Sequence, residues 1–245
     1  MGKADLHIHT RVSDGLATIE QLLEYVEHGT DLDVIAVTDH EDAAGGLRAR
    51  ELAAKRGLRF EVIVGAEITT LQGHLLGLFL EETPKSFRSA ERTLEAIHRQ
   101  GGLAIAPHPM SWLTRSLSER TIDRITERSE AGVVFDGIEI GNPSPAGRVT
   151  AAKAERMNRA RWRIAETGGS DAHHLGHVGS GWTDFAGTTA NELRGAIGDC
   201  SSVGRRAQYP PAREIGFGKI ALGLVWGYAA TPRKMLRFGS GRAQE

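Results

Sequence analysis

The sequence predicts an α/β fold in which buried strands alternate with helices and close into a barrel. Short apolar runs, typical of buried parallel strands, alternate along the 245 residues with stretches that begin and end with helix-capping residues. Histidines and carboxylates follow several of these runs, from His7 to His173. Side chains so far apart in sequence can meet only if the fold gathers strand ends around one point, as a barrel of strands and helices does.

The first third of the chain contains two clear helix signals. Thr18-Ile-Glu-Gln21 is a capping box, which predicts a helix from there through about His28. A second helix is expected to run through about Arg56 and to end at Gly57, because glycine readily adopts the left-handed conformation that closes a helix. The strands predicted around these helices are Ala4–Ile8, Val34–Val37, Arg59–Gly65 and His74–Leu80.

The alternation continues as far as about residue 197. Gly101-Gly102 predicts the end of one helix, and Thr189-Ala-Asn-Glu192 is a second capping box. Strands that alternate with helices favour parallel pairing and right-handed crossovers. The predicted elements of this part are the helices Phe87–Gln100, Ser118–Ser129, Thr150–Glu166 and Thr189–Ile197, and the strands Leu103–Ala106, Gly137–Ile140 and a short run into Gly169.

Two of the polar motifs have the spacing of metal ligands on a strand. His7 and His9 share one face of a strand because side chains alternate with a period of two, and the same parity relates Asp171 to His173. A single histidine on a strand is usually a satisfied polar residue rather than a ligand. Several strand-end motifs together favour a metal site, since buried carboxylates and imidazoles without a cation carry a heavy desolvation cost.

Further candidate ligands stand at similar strand ends. None is a thiolate, and imidazole with carboxylate suits zinc, manganese or iron rather than a cysteine-type structural zinc site. Nine nitrogen and oxygen ligands exceed what one ion uses, so two or three divalent metal ions are expected. The nine candidates are His7, His9, Asp14, His40, Glu67, His74, His108, Asp171 and His173.

Taken in order, these motifs resemble the PHP (polymerase and histidinol phosphatase) family, and most of all its small stand-alone phosphoesterases. Each motif alone is weak, but all of them in order make a specific match over about residues 3–200. The motifs are Asp5-Leu-His-Ile-His-Thr10, Ser13-Asp-Gly15, Thr38-Asp-His40, Gly65-Ala-Glu-Ile68, Ala106-Pro-His-Pro109, Gly169-Ser-Asp-Ala-His173 and the stretch Gly179–Phe185.

The resemblance implies a distorted (β/α)7 barrel with a trinuclear metal centre. It places a first metal between His7, His9, Glu67 and Asp171, a second between Glu67, His74 and His108, and a third between Asp14, His40 and His173. It also implies a hydrolase in which a metal-bridging hydroxide attacks phosphorus. Larger relatives carry an inserted domain before the Gly-Ser-Asp motif, whereas here only residues 110–169 separate the motifs, so the substrate selection of such insertions is not expected.

Other residues are assigned roles around the expected metals. Asp171 and His173 are candidate catalytic residues as well as ligands, and Asp39 either orients His40 or carries a proton, with orientation favoured. Arg11 lies beside the first motif, and Arg115 and Arg148 follow strand ends. Each arginine has the planar guanidinium that binds phosphate, but a solvated loop arginine is an equally good interpretation.

Composition and charge bear on the cellular location and the binding partners of the protein. The net charge is −1, so nothing global attracts nucleic acid or an anionic membrane, and the single Cys200 fits a reducing compartment. No apolar run reaches transmembrane length, and the motif at Asp5 leaves no room for a signal peptide. These features predict a cytoplasmic location and no stable membrane insertion.

The leading functional hypothesis is a metal-dependent phosphoesterase acting on a small phosphorylated metabolite or a nucleotide. A 3′-directed nuclease on short oligonucleotides is the first alternative, and a phosphoesterase acting on phospholipid head groups at a membrane surface is the second. A non-catalytic metal-binding scaffold is a different class of function, which the complete ligand set disfavours.

The division into domains is predicted at residue 204. Residues 1–204 form the hydrolase domain, and residues 205–245 form a basic and apolar C-terminal extension with helical character. Its apolar stretch Ile220–Ala230 precedes the basic residues of Arg233–Arg237. An interfacial helix on a membrane is one interpretation. Packing on the barrel or on a partner subunit, which would give a homo-oligomer, is favoured.

Overall fold

A nine-stranded sheet rolled into a nearly closed barrel organises the chain. The structure is a computed structural model that describes residues 1–128 and 133–208. Helices of the described residues cover the sheet. The strands are β1 (Gly2–Ile8), β2 (Val34–Val37), β3 (Glu61–Thr69), β4 (His74–Leu78), β5 (Leu103–Ala106), β6 (Gly137–Gly141), β7 (Ala165–Gly168), β8 (Gly181–Phe185) and β9 (Val203–Arg206). The helices are α1 (Ile19–Gly29), α2 (Ala44–Arg56), α3 (Ala90–Arg99), α4 (Glu119–Arg128), α5 (Pro145–Arg148), α6 (Ala151–Met157) and α7 (Ala190–Gly198).

The sheet contains two parallel blocks joined by an antiparallel strand. Its order is β7-β6-β5-β4-β3-β2-β1-β8-β9. Strands β1 to β3 are parallel, as are β5 to β7, but β4 runs antiparallel to both of its neighbours. Strand β4 departs from the parallel pairing predicted for strands that alternate with helices, because only the turn 70–73 joins it to β3 and a parallel partner needs a longer crossover.

Close backbone contacts nearly close the barrel between its two edges. A Cβ atom on Gly204 would lie 2.3 Å from the carbonyl oxygen of Thr167, and one on Gly141 would lie 2.4 Å from the backbone nitrogen of Arg205. The hydroxyl of Ser202 donates to the carbonyl oxygen of Glu166 at 2.8 Å. Strand β9 therefore lies against the opposite edge of the sheet, where glycine lets the backbones approach.

Apolar side chains bind the helices to the sheet. Leu22 of α1 and Ala49 of α2 share one buried cluster with Ile35 of β2. Leu94 of α3 belongs to another cluster, together with Ala104 of β5. These contacts leave the carboxyl ends of the parallel strands free to carry loops, and those loops form the candidate site.

The predicted helix ends are confirmed where a local signal exists. Thr18 and Thr189 both make complete capping boxes, and Gly57 ends α2 in the left-handed conformation at φ 62°. The predicted helix Thr150–Glu166 is confirmed as far as Trp162, because α6 continues as a π-helix over Asn158–Trp162, and it is wrong only at its end, where β7 begins at Ala165.

The side chain of Asn158 fixes the turn between the end of this helix and the start of β7. Its Oδ1 accepts from the backbone nitrogen of Ile164 at 3.0 Å, and its Nδ2 donates to the carbonyl oxygen of the same residue at 2.9 Å. Arg163 takes a left-handed φ of 54° between them. Strands β8 and β9, both antiparallel, were absent from the sequence prediction.

Of the predicted C-terminal extension, only residues 205–208 are among the described residues. Strand β9 crosses the predicted boundary at residue 204 and continues to Arg206. Residues 209–245, with the predicted helical tail, its apolar stretch and its basic cluster, lie outside the described residues. Among the helices of residues 1–128 and 133–208, none has the length and apolar character needed to cross a membrane.

The barrel closure generates a stability prediction. We expect Gly204→Ala to lower the free energy of unfolding by about 1–3 kcal/mol, because its methyl group would overlap the backbone of Thr167. Gly195→Ala is the matched control: it adds the same methyl group in α7, where nothing lies within 4 Å, and should stabilise the chain by about 0.5–1 kcal/mol. Chemical denaturation measures both. Equal stability of the two variants would contradict the closure at β9.

Candidate metal centre

The fold brings all nine predicted ligands together at one end of the barrel. His7 belongs to β1 and Glu67 to β3, whereas His74 begins β4. The remaining six lie in loops that follow β1, β2, β5 and β7, and they are His9, Asp14, His40, His108, Asp171 and His173. The backbone nitrogen of His9 donates to the carbonyl oxygen of Ala172 at 2.9 Å, which joins the first motif to the last.

Glu67 lies at the centre of this cluster and is only 2% exposed. Its Oε1 lies 2.7 Å from His74 Nδ1 and 3.0 Å from His108 Nε2. Its Oε2 lies 3.3–3.4 Å from ring nitrogens of three further histidines, which are His7, His9 and His40. The two oxygens therefore face two different groups of imidazoles.

Two aspartates flank the histidines on the other sides. Asp171 Oδ1 lies 3.6 Å from Nε2 of both His7 and His9. Asp14 Oδ2 lies 3.2 Å from His173 Nε2 and 3.6 Å from His40 Nε2. These distances place the nine residues in one cluster, but the way in which they divide among individual metal ions stays a prediction.

The donor set fits divalent cations. Four overlapping groups offer ligand atoms that all lie within 4.8 Å of one another: His7, His9 and Asp171; His7, Glu67 and His108; His40, Glu67 and His74; and His9, Asp14, His40 and His173. Both ring nitrogens of His9 and Nδ1 of His40 are buried without a hydrogen-bond partner among the described residues. Buried nitrogens that face carboxylates without a hydrogen bond are suited to metal ligation.

The candidate ligands differ in protonation state. Burial opposes the protonation of His7 and His173, but nearby carboxylates, Glu139 and Asp14 foremost, raise the pKa of His7 well above its usual value and that of His173 to about 10, so these two rings would lose a proton on binding a metal. Burial lowers the pKa of His40 to about 4, although the carboxylates of Glu67 and Asp14 oppose this shift, so the imidazole is neutral at pH 7. Burial raises the pKa of Glu67, but the neighbouring imidazoles, His74 foremost, hold it well below its usual range. Neutral imidazole and ionised carboxylate are the forms that bind metal ions.

Sequence reasoning missed one buried carboxylate beside the cluster. Glu139 Oε1 lies 3.0 Å from His7 Nδ1, and Oε2 accepts from the backbone nitrogen of His108 at 2.7 Å and from Asn142 Nδ2 at 2.8 Å. A carboxylate on the far nitrogen of a ligating histidine orients the ring and strengthens it as a ligand. The available signal was an acidic residue inside the apolar strand Gly137–Gly141.

Asp39 lies beside the cluster but directs its carboxylate away from the metal ligands. Oδ1 accepts from the backbone nitrogens of Thr10 and Ser13 at 2.7 and 3.1 Å, and their hydroxyl groups also donate to the carboxylate. These bonds hold the loop that carries Asp14. The hydrogen bonds of Asp39 are thus to Thr10 and Ser13 rather than to His40, and both predicted roles, orienting His40 and carrying a proton, stay predictions.

The three predicted phosphate-binding arginines are exposed on loops next to the cluster. Arg11 donates through Nε to the carbonyl oxygen of Leu16 at 2.9 Å. Arg115 donates to the carbonyl oxygen of Thr70 at 3.4 Å, and Arg148 ends helix α5. Their side chains stay available to solvent, and their contact with substrate remains a prediction.

Comparison of the sequence with models of protein families agrees with this geometry. The model of the PHP domain matches residues 5–167, and a model described as PHP-associated matches residues 152–199. The chain belongs to the PHP family. This finding confirms the resemblance predicted from the motifs, and with it the assignment to a family of metal-dependent phosphoester hydrolases.

Named relatives of this PHP chain differ widely in length. It is 37% identical over 151 residues to the uncharacterized protein MJ1587 of Methanocaldococcus jannaschii, covering 57% of this chain and 81% of that protein. It is 36% identical over 101 residues to a phosphoribosyl 1,2-cyclic phosphate 1,2-diphosphodiesterase of Eggerthella lenta, covering 38% of this chain but only 37% of the relative. A 30% identical error-prone DNA polymerase of Mycolicibacterium paratuberculosis matches 67% of this chain and 16% of its own length.

Solved structures share the fold. A two-domain Bacteroides vulgatus protein, described as containing a predicted PHP-like metal-dependent phosphoesterase, superposes with a TM-score of 0.66 at 20% identity over 84% of this chain and 64% of that one. PsfC from Pseudomonas syringae superposes with a TM-score of 0.62 at 17% identity over 94% and 99% of the two chains. Because neither structure is more than 20% identical to this chain, the likeness concerns the fold alone, and it confirms the predicted α/β barrel architecture.

The overlapping ligand groups generate a prediction of selective metal loss. We expect His40→Ala to lower the metal content by about one ion while leaving the group around His7, Asp171 and Glu67 occupied. His9→Ala should remove more metal, because His9 belongs to two of the four ligand groups. Elemental analysis of dialysed protein measures this, with His28→Ala on the exposed face of α1 as control. Equal, full metal content in all three variants would contradict the ligand assignment.

Proposed function

We propose that this PHP protein is a metal-dependent phosphoesterase that hydrolyses a phosphoester of a small metabolite or a nucleotide. The observation that carries the proposal is the position of Glu67, whose two oxygens face separate groups of imidazoles. A carboxylate placed in this way can bridge two cations, which is the arrangement of two-metal hydrolases of phosphoesters.

Nine residues would hold two or three divalent metal ions. His7, His9 and Asp171 would bind one ion, and His74 and His108, which both face Oε1 of Glu67, would bind another, with Glu67 shared between them. Asp14, His40 and His173 would bind a third. Zinc, manganese and iron all accept this set of nitrogen and oxygen donors. When bound, such ions lower the pKa of water towards about 7 and neutralise charge on the phosphate.

The protein's own residues would orient the ligands around the bound ions and set their protonation states. Ser144 Oγ donates to Asp171 Oδ2 at 3.0 Å, which holds the carboxylate so that Oδ1 faces His7 and His9. Burial raises the pKa of Asp171, but the neighbouring imidazoles, His7 foremost, lower it by more, so the carboxylate is ionised, as ligation requires. A role of Asp171 as proton acceptor stays a prediction. His173 lies on the more exposed side of the cluster, where it would help to hold the third ion, and a catalytic role for it beyond ligation stays a prediction.

The curated relatives support phosphoester chemistry without naming a substrate for this chain. Besides the cyclic phosphate diphosphodiesterase, the chain is 39% identical over 83 residues to a protein named 5′-3′ exoribonuclease Rnm in Salmonella typhimurium, which covers 31% of this chain and 27% of that relative. This match favours exonuclease activity on short oligonucleotides as the second candidate. The direction in the relative's name is opposite to the 3′-directed nuclease that the sequence analysis weighed.

The remaining hypotheses depend on features beyond the described residues. A phospholipid head-group phosphoesterase and a homo-oligomer both rest on the extension after residue 208. A cytoplasmic location likewise stays a prediction. A metal-binding scaffold without catalysis is disfavoured, because a scaffold has no need of nine residues that all remain competent ligands.

The function is tested by a screen with metal-reconstituted protein. Zinc, manganese and iron forms are assayed for phosphate or nucleotide release from nucleoside bisphosphates, histidinol phosphate and short RNA. We expect turnover of at least one of these, and a loss of about a thousandfold or more in His9→Ala, since metal ions supply several kcal/mol of transition-state stabilisation. Turnover that survives chelation, or that is unchanged in His9→Ala, would contradict the proposal.

A further inference from the structure

Several large apolar side chains remain exposed on loops beside the metal centre. They lie on four segments, 70–73, 86–89, 109–117 and 144–150, which together we call the rim. Trp112 is the most prominent, because 75% of its surface is exposed. Exposed apolar surface of this extent on a folded chain commonly marks a binding site. The exposed apolar rim residues are Leu71, Phe87, Trp112, Leu113 and Val149.

The loop 109–117 is fixed to two of the metal-ligand candidates. Ser116 Oγ lies 2.8 Å from Nδ1 of His108, and the backbone nitrogen of His74 donates to the carbonyl oxygen of Arg115 at 2.9 Å. The guanidinium of Arg115 reaches back to the carbonyl oxygen of Thr70. Because the loop is held at its base, its tip presents Trp112 at a defined place beside the cluster.

The other rim segments pack around this loop. The backbone nitrogen of Leu71 donates to the carbonyl oxygen of Arg88 at 2.9 Å, which pairs segments 70–73 and 86–89. Thr150 Oγ1 donates to the carbonyl oxygen of Pro109 at 2.8 Å and ties segment 144–150 to the base of the loop. The exposed apolar side chains therefore lie on one connected set of loops rather than on separate parts of the surface.

The charge of the rim indicates what it binds. Its four segments contain no aspartate or glutamate but three exposed arginines, Arg88, Arg115 and Arg148. Aromatic side chains interleaved with arginine are suited to a ligand that combines a flat ring with phosphate, because bases stack on aromatic rings and guanidinium groups pair with phosphate oxygens. A purely apolar or cationic partner would leave the arginines without a counter-charge.

We propose that the rim binds the nucleobase end of a nucleotide or short oligonucleotide, with Trp112 stacked on a base and Arg115 close to a phosphate. Trp112 is four positions after His108, so their Cα atoms are at most roughly 14 Å apart. A base on Trp112 can therefore belong to the same substrate whose phosphoester lies at the metal centre. The inference rests on the proposed phosphoesterase function and adds the substrate class.

Binding can be measured without turnover. The ligands are a phosphonate analogue of AMP, in which the ester oxygen is replaced by a methylene group, and the same phosphonate on a ribose that lacks the base. Calorimetry of the metal-loaded full chain should show tighter binding of the base-bearing ligand. Trp112→Ala should weaken that ligand about tenfold and leave the base-free ligand unchanged, whereas Trp112→Phe should restore most of the affinity.

Leu47→Ala is the matched control, because it truncates an exposed apolar residue of α2 that lies outside the rim. It should leave both affinities unchanged. Equal binding of the two ligands, or no effect of Trp112→Ala, would overturn the inference and assign the exposed Trp112 to another partner. Because the phosphonates are not hydrolysed, a chain that binds them as expected but cleaves no phosphoester would refute the proposed function and leave the rim assignment standing.

Discussion

The architecture of this chain depends on the burial of one carboxylate, that of Glu67. A buried ionised carboxylate without compensation is prohibitively costly, and its partners here are five imidazoles contributed by four segments of the chain. A cation shared through the same carboxylate would compensate its charge more fully than neutral rings can. The segments that carry these histidines must end at one point, and the barrel is the fold that makes them do so.

The departures from a regular barrel also bring residues to the candidate metal centre or hold them there. The antiparallel strand β4 enters the cluster at its first residue, His74, directly after the turn that follows β3. A parallel strand at this place would require a crossover and would bring its carboxyl end to the site instead. At the last motif, Ala172 bridges to Ile8 of β1, so the loop after β7 is tied to the strand that carries His7. The carboxylates of Glu139 and Asp39 then hold His7 and the Asp14 loop from behind.

Much of this could be predicted from the sequence, because the signals are local. The parity of His7 and His9, the capping boxes at Thr18 and Thr189, and the buried run Val34–Val37 each follow from spacing within a few residues. The nine candidate ligands also follow from local motifs, because each one lies at or near the end of a predicted strand. The missing parts depend on contacts between distant segments. The direction of β4, the π-turn after α6 and the pairing of β8 with β9 are decided by tertiary packing. Glu139 has no motif of its own, and only the structure reveals its contact with His7.

The central claim is that Glu67 joins two cations, and the crystal structure of the metal-loaded protein tests it most directly. Anomalous diffraction on both sides of the absorption edge of the bound metal would locate the ions independently of the protein atoms. The account predicts two ions about 4 Å apart or closer, one near each oxygen of Glu67, together with the histidines that face that oxygen. A single ion, or ions bound elsewhere with Glu67 contacting only histidines, would contradict it.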